Sequence, residues 1–171
     1  MTAVLVALSF VPLPLPLGPV PPTMQSLGVM MAGLLLPPGE AVAAVALQLA
    51  LGLAGLPVLG GGMGGPTLLF SPAGAYLWGH LPGVAVAARL AGRGKPGAPV
   101  HPLRSVALAL LAVAPGWLVE VAAVRAWLLP SWKEAVLFGL AGLLPLDVVK
   151  AALAVAPARA LRKAMGVRRQ A

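Results

Sequence analysis

The chain alternates long apolar stretches with short clusters of proline, glycine or basic residues. Residues 2–10 predict a first helix, which must end where Pro12, Pro14 and Pro16 each remove a backbone donor. The segment PLPLPLGPVPP (12–22) predicts extended, polyproline-like backbone. Lipid does not tolerate such a segment, so it belongs at an interface or along a cavity. A second helix is expected over about residues 23–36, ended by Pro37-Pro38-Gly39-Glu40, and a third continues to about residue 56. GLPVLGGGMGGPTLLFSPAG (55–74) reads as a glycine-rich loop, and a fourth helix follows over about 73–90. AGRGKPGAPVHPLR (91–104) is a polar loop, and a fifth helix covers about 105–129. An apolar segment at 135–144 is expected to break at Pro145, with the last helix starting near Asp147.

Composition says what these helices are made for. Of the 171 residues, 60% are hydrophobic and only 9% charged, against roughly 25% charged in soluble domains. A span needs about 20 apolar residues to cross about 30 Å of hydrocarbon. The apolar runs do not alternate with polar residues, which argues against a β-barrel. The expected fold is therefore an all-α integral membrane protein. It forms a single domain over residues 1–171, a compact bundle of six transmembrane helices with outer loops at about 12–23 and 57–72. The first helix lacks the basic start of a signal peptide and is expected to remain.

Charge orients the bundle. Twelve Lys and Arg stand against four Asp and Glu, and the basic residues gather at Arg89, Arg93, Lys95 and Arg104 and in the tail at 159–171. By the positive-inside rule the 91–104 loop, the tail and the N-terminus are cytoplasmic, and the proline and glycine loops face outward. Basic charge beside apolar spans points to a bilayer and not to nucleic acid. The absence of cysteine removes disulfides and thiolate chemistry.

Ionisable groups inside a span are costly and mark function by default. Asp147 and Lys150 are three apart and share a helix face. Gln25, His80, Glu120 and Arg125 are expected at a similar depth, in the outer half of the membrane, forming a polar pocket under the two outer loops. A structural ion pair remains the plain alternative for Asp147 and Lys150, and helix packing for His80. Gly62 and Gly64 belong to a run that is not a phosphate loop, since it lacks the Gly-Lys-Ser/Thr ending. Such a run suits either a loop folded over a small ligand or a merely flexible one. Trp78 could wall the pocket, whereas Trp117, Trp127 and Trp132 read as interface anchors. No nucleophile pairs with a base and no metal cluster or ATP motif is present, so no catalytic residue, metal or cofactor is expected.

Taken together, PLPLGPVPPTMQSLGV, GLPVLGGGMGG, SPAGAYLWGHL and GLLPLDVVKAALA resemble the BioY family, the biotin-specific substrate-binding subunits of energy-coupling-factor transporters. The resemblance implies a six-helix subunit that binds biotin from outside and is no enzyme. It also implies partnership with a transmembrane coupling subunit and two ATPase subunits in the plasma membrane. The family's acidic and basic residues on the last helix fall on Asp147 and Lys150. Its small-residue docking pattern falls on Ala3 and Ala7. The chain has no asparagine, and the loop before the fourth helix reads Ser-Pro-Ala-Gly-Ala-Tyr at 71–76, which departs from the family pattern. In this reading the biotin site draws on Asp147, Lys150, Gln25, Trp78, His80, Arg125, Gly62 and Gly64. A solitary ion- or proton-coupled carrier, with Asp147 as relay, is the alternative.

Overall fold

The computed structural model describes residues 1–13, 22–71, 74–92 and 101–168. Among these, seven α-helices and one 3-10 turn follow one another: α1 (Thr2–Ser9), α2 (Gln25–Leu35), α3 (Pro38–Leu53), the turn Gly60–Gly62, α4 (Pro66–Leu69), α5 (Tyr76–Gly92), α6 (Pro102–Trp127) and α7 (Trp132–Arg168). No strand occurs among the described residues, only isolated bridges between Pro12 and Thr23 and between Leu59 and Met63. Prolines start three of the helices, at Pro38, Pro66 and Pro102. There the missing N–H costs nothing and the fixed φ is already helical.

Two expectations need correction. The stretch expected as a bare glycine loop contains the 3-10 turn and the four-residue α4. The break expected at Pro145 does not occur, because α7 runs unbroken through both Pro145 and Pro157. A proline removes one ladder bond, and neighbouring helices within a membrane bundle can make good that loss. The extended form expected for 12–22 falls, at 14–21, outside the described residues, as do Arg93 and Lys95. The ends of that segment are joined: Leu13 N–H donates to Pro22 O at 2.8 Å and Met24 N–H to Val11 O at 3.0 Å.

α2 is the hub, packing on α1, α3, α5, α6 and α7. Eight of its eleven residues are buried, which requires side chains without charge all round. Large apolar side chains instead face outward elsewhere, including Leu47, Leu103, Leu118, Val149 and Leu153. Among the described residues, α6 alone is long and apolar enough to cross a membrane by itself, and α2 and α3 are shorter apolar helices.

The closest helix crossing is that of α5 and α6. A Cβ added at Gly79 would collide with the backbone of Pro115 and Gly116, and one at Gly83 with Ala112 O. Gly79 and Gly83 are four apart on one helix face, and small residues so spaced let two membrane helices touch backbone to backbone. Gly79→Ala or Gly83→Ala should lower the melting temperature in detergent, each costing about 1–3 kcal/mol through overpacking. Gly39→Ala, where nothing lies within 4 Å of the added Cβ, should leave the melting temperature unchanged or raise it.

Candidate functional site

The Asp147 and Lys150 side chains are each 5% exposed and 3.3 Å apart. They form the only ion pair among the described residues. A buried pair is tolerated only if its remaining lone pairs and protons also find partners. Here they do. Asp147 Oδ1 accepts the Ser26 hydroxyl at 2.7 Å and Oδ2 accepts the Trp117 indole N–H at 2.9 Å. Lys150 Nζ donates to Thr23 O and to Ser26 Oγ, both at 2.9 Å, as well as to Asp147 Oδ1. Those three bonds use every donor an ammonium has. Ser26 Oγ links the charges, accepting from one and donating to the other. The carboxylate has about four acceptor positions, three of them filled by these bonds, so one is left for a ligand donor.

Around this pair lies a small cavity lined by Pro22, Thr23, Ser26, Tyr76, His80 and Trp117 together with Asp147 and Lys150. The Tyr76 and His80 rings meet edge to face, with centroids 5.4 Å apart. Gly116 lets α6 approach them: a Cβ there would press on Tyr76 O and the His80 ring. The cavity holds about 20 Å³, room for one water, whereas small-molecule sites occupy about 300–1,000 Å³. A bicyclic ligand could enter only if the surrounding elements moved apart.

The structure thus brings together Asp147, Lys150 and His80 of the residues singled out from sequence, and puts the others elsewhere. Gln25, next in chain to the lining residue Ser26, turns toward α3. Its Nε2 donates to Gln48 Oε1 at 3.3 Å, and its Oε1 is buried without a partner among the described residues. Gln48 Nε2 in turn donates to Val58 O at 2.8 Å, and Ser9 Oγ to the same oxygen at 3.0 Å. These bonds strap the glycine segment to α1 and α3. Gly62, at φ +76°, sits under the Phe10 ring, and a Cβ on Gly64 would strike Leu56 O, so neither glycine lines the cavity. Trp78 Nε1 donates to Leu69 O at 3.0 Å and its ring lies beside Phe70, holding α4 to α5. Arg125 donates to Leu129 O at 3.3 Å and stands 5.7 Å from the Trp132 ring centre. Glu120 is also outside the cavity lining, with Oε2 buried and unpaired among the described residues. Ala3 and Ala7 occupy the exposed face of α1.

Thr23, Ser26, Tyr76 and Trp117 join the site without having been singled out for it. A serine one residue after Gln25 and a tryptophan in the middle of an apolar helix are both donors that a buried carboxylate could recruit. That chemistry was the available signal.

The BioY family model matches residues 1–167. A "Biotin transporter BioY" of Rhizobium etli is 46% identical over 93 residues, 53% of this chain and 49% of that protein. One of Rhodobacter capsulatus is 49% identical over 85 residues, 49% of this chain and 44% of that protein. In these matches the chain spans about half the length of the curated relatives. A "Probable biotin transporter BioY" of Pyrococcus horikoshii is 33% identical over 148 residues, covering 85% of this chain and 83% of that protein. A crystal structure of the S-component for biotin from an ECF-type ABC transporter is 32% identical, with a TM-score of 0.84, over 95% of this chain and 86% of the other. With a family model running through almost its whole length, the chain belongs to the BioY family.

Proposed function

We propose that this chain is the biotin-binding membrane subunit of an energy-coupling-factor transporter, with Asp147 and Lys150 as the centre of its ligand site. The observation that carries the proposal is the buried ion pair, with one acceptor position of Asp147 unfilled, facing a cavity in a fold like that of a biotin S-component. Biotin offers two ureido N–H donors, a carbonyl, an apolar thiophane ring and a carboxylate on a flexible chain. The remaining acceptor position on Asp147 suits a ureido N–H, and charge-assisted bonds of this kind are the strong ones. Lys150 has no spare donor, so it bonds ligand by releasing Thr23 O or Ser26. That exchange couples binding to movement of the segment ahead of α2. Tyr76, His80 and Trp117 supply the ring walls that such ligands need.

In this reading six helices, α1, α2, α3, α5, α6 and α7, form the membrane bundle. The Asp147 end faces outward, while the basic 91–104 loop and tail face the cytoplasm. Uptake is driven by a coupling subunit and two ATPase subunits, with Ala3 and Ala7 on the exposed face of α1 as the docking stripe.

Lys150→Ala should weaken biotin binding roughly 10- to 100-fold, since a hydrogen bond to a charged group is worth about 1.5–3 kcal/mol and each 1.4 kcal/mol is tenfold. Isothermal titration of the purified chain measures this directly. A variant with both Asp147 and Lys150 made apolar that still binds biotin like the parent would move the site off α7. Trp117→Phe removes one Asp147 donor and keeps the ring. It should weaken binding less than Lys150→Ala does, and equal affinity to the parent would separate Trp117 from the site. Replacing Ala3 and Ala7 with Trp should leave biotin binding intact and abolish ATP-driven uptake in vesicles holding the whole complex. Undiminished uptake would put the docking face elsewhere.

A further inference from the structure

A second cavity lies at the other end of the bundle, where α2 and α5 finish, α6 begins and α7 leaves its last apolar turn. Its floor is apolar, made by Leu34, Ala91, Leu108 and Ala158, and its charged lining is Arg159 and Arg162. Arg162 Nε donates to Leu34 O at 2.7 Å and Arg104 Nη2 donates to Leu90 O at 3.0 Å. Each arginine therefore satisfies a carbonyl in the last turn of a helix, where no intrahelical donor remains. A guanidinium has five N–H donors, so each retains others. None of the three arginines has a carboxylate within salt-bridge distance among the described residues. Arg162, on turns of α7 beyond the bundle, has its pKa lowered by burial and then by the like charge of Arg104. Arg159 and Arg162 thus line the niche and Arg104 stands near Arg162, with no counter-charge among the described residues, and Leu103 and Leu161, their neighbours in the chain, are exposed.

We propose that Arg104, Arg159 and Arg162 bind the phosphodiester headgroup of an anionic glycerophospholipid at the mouth of this niche, which itself holds only about 10 Å³, with the acyl chains along the exposed Leu103 and Leu161. Basic pockets between membrane helices recognise anionic headgroups in this way, each arginine adding to the attraction. Guanidinium forks match phosphate oxygens two at a time. The exposed leucines distinguish a lipid from a free anion, which would gain nothing from Leu103 or Leu161. The lipid also neutralises charge that otherwise opposes the closing together of α5, α6 and α7 at this end. The inference rests on the proposed reading only in taking the chain to lie in a bilayer, and biotin binding is not assumed.

Native mass spectrometry of the full chain, offered equal phosphatidylglycerol and phosphatidylcholine, tests it. The expected result is about tenfold or greater retention of phosphatidylglycerol, with a higher melting temperature when that lipid is present. Arg104→Gln with Arg159→Gln should remove the preference, while Arg104→Lys with Arg159→Lys keeps most of it. Equal retention of the two lipids by the parent chain would overturn the proposal even if the glutamine variant failed to fold. So would a folded glutamine variant that keeps the preference, which would place the lipid elsewhere on the chain. An equal rise in melting temperature from inorganic phosphate alone would make it a free-anion site.

Discussion

A carboxylate and an ammonium that are both almost wholly buried must find hydrogen-bond partners beyond each other before this bundle can close. Leaving either one short in a low-dielectric interior costs several kcal/mol. The partners come from separated parts of the chain: Thr23 and Ser26 at the start of α2, Trp117 in α6, and Asp147 and Lys150 in α7. Satisfying one ion pair therefore fixes the start of α2 against α6 and α7 at a single depth. The residues ahead of α2 become part of the same lock, because Lys150 holds the Thr23 carbonyl. A ligand that takes over the Lys150 bond to Thr23 O has to displace that carbonyl.

Close packing makes the lock possible. Gly79 and Gly83 bring α5 onto the backbone of α6, which carries Tyr76 and His80 to the same cavity as Trp117. The glycine segment plays a different part in this closed state. Its carbonyl at Val58 is held by Ser9 and Gln48, and its positive-φ glycines make tight turns and do not form a surface over the cavity. The opposite end is held by arginines that cap the ends of α2 and α5.

The sequence makes the parts of this arrangement visible unevenly. Asp147 and Lys150 stand out because charge three residues apart in an apolar helix has few explanations, and His80 because its flanks are apolar. Ser26 and Trp117 do not stand out, since a donor becomes part of a site only when tertiary packing carries it to a carboxylate 121 or 30 residues away. Trp117 in particular has the composition of an interface anchor and the position of a half-buried donor to Asp147. Pro145 misleads in the other direction: its local chemistry says break, yet the helix continues. Trp78 and Arg125 are polar groups at plausible depth, but the bonds of Trp78 to Leu69 O and of Arg125 to Leu129 O show them serving α4 and the end of α6. The Gly79-x-x-x-Gly83 spacing was present in the sequence, although its meaning depends on which helix it faces.

In the proposed function, the cavity around Asp147 and Lys150 receives biotin. Equilibrium binding of labelled biotin to the purified full chain, with unlabelled thiamine and riboflavin as competitors, addresses it most directly. The expected result is saturable binding at one site per chain, displaced by unlabelled biotin and by neither other vitamin. Absence of saturable binding, or displacement by thiamine or riboflavin as effective as by biotin, would contradict it.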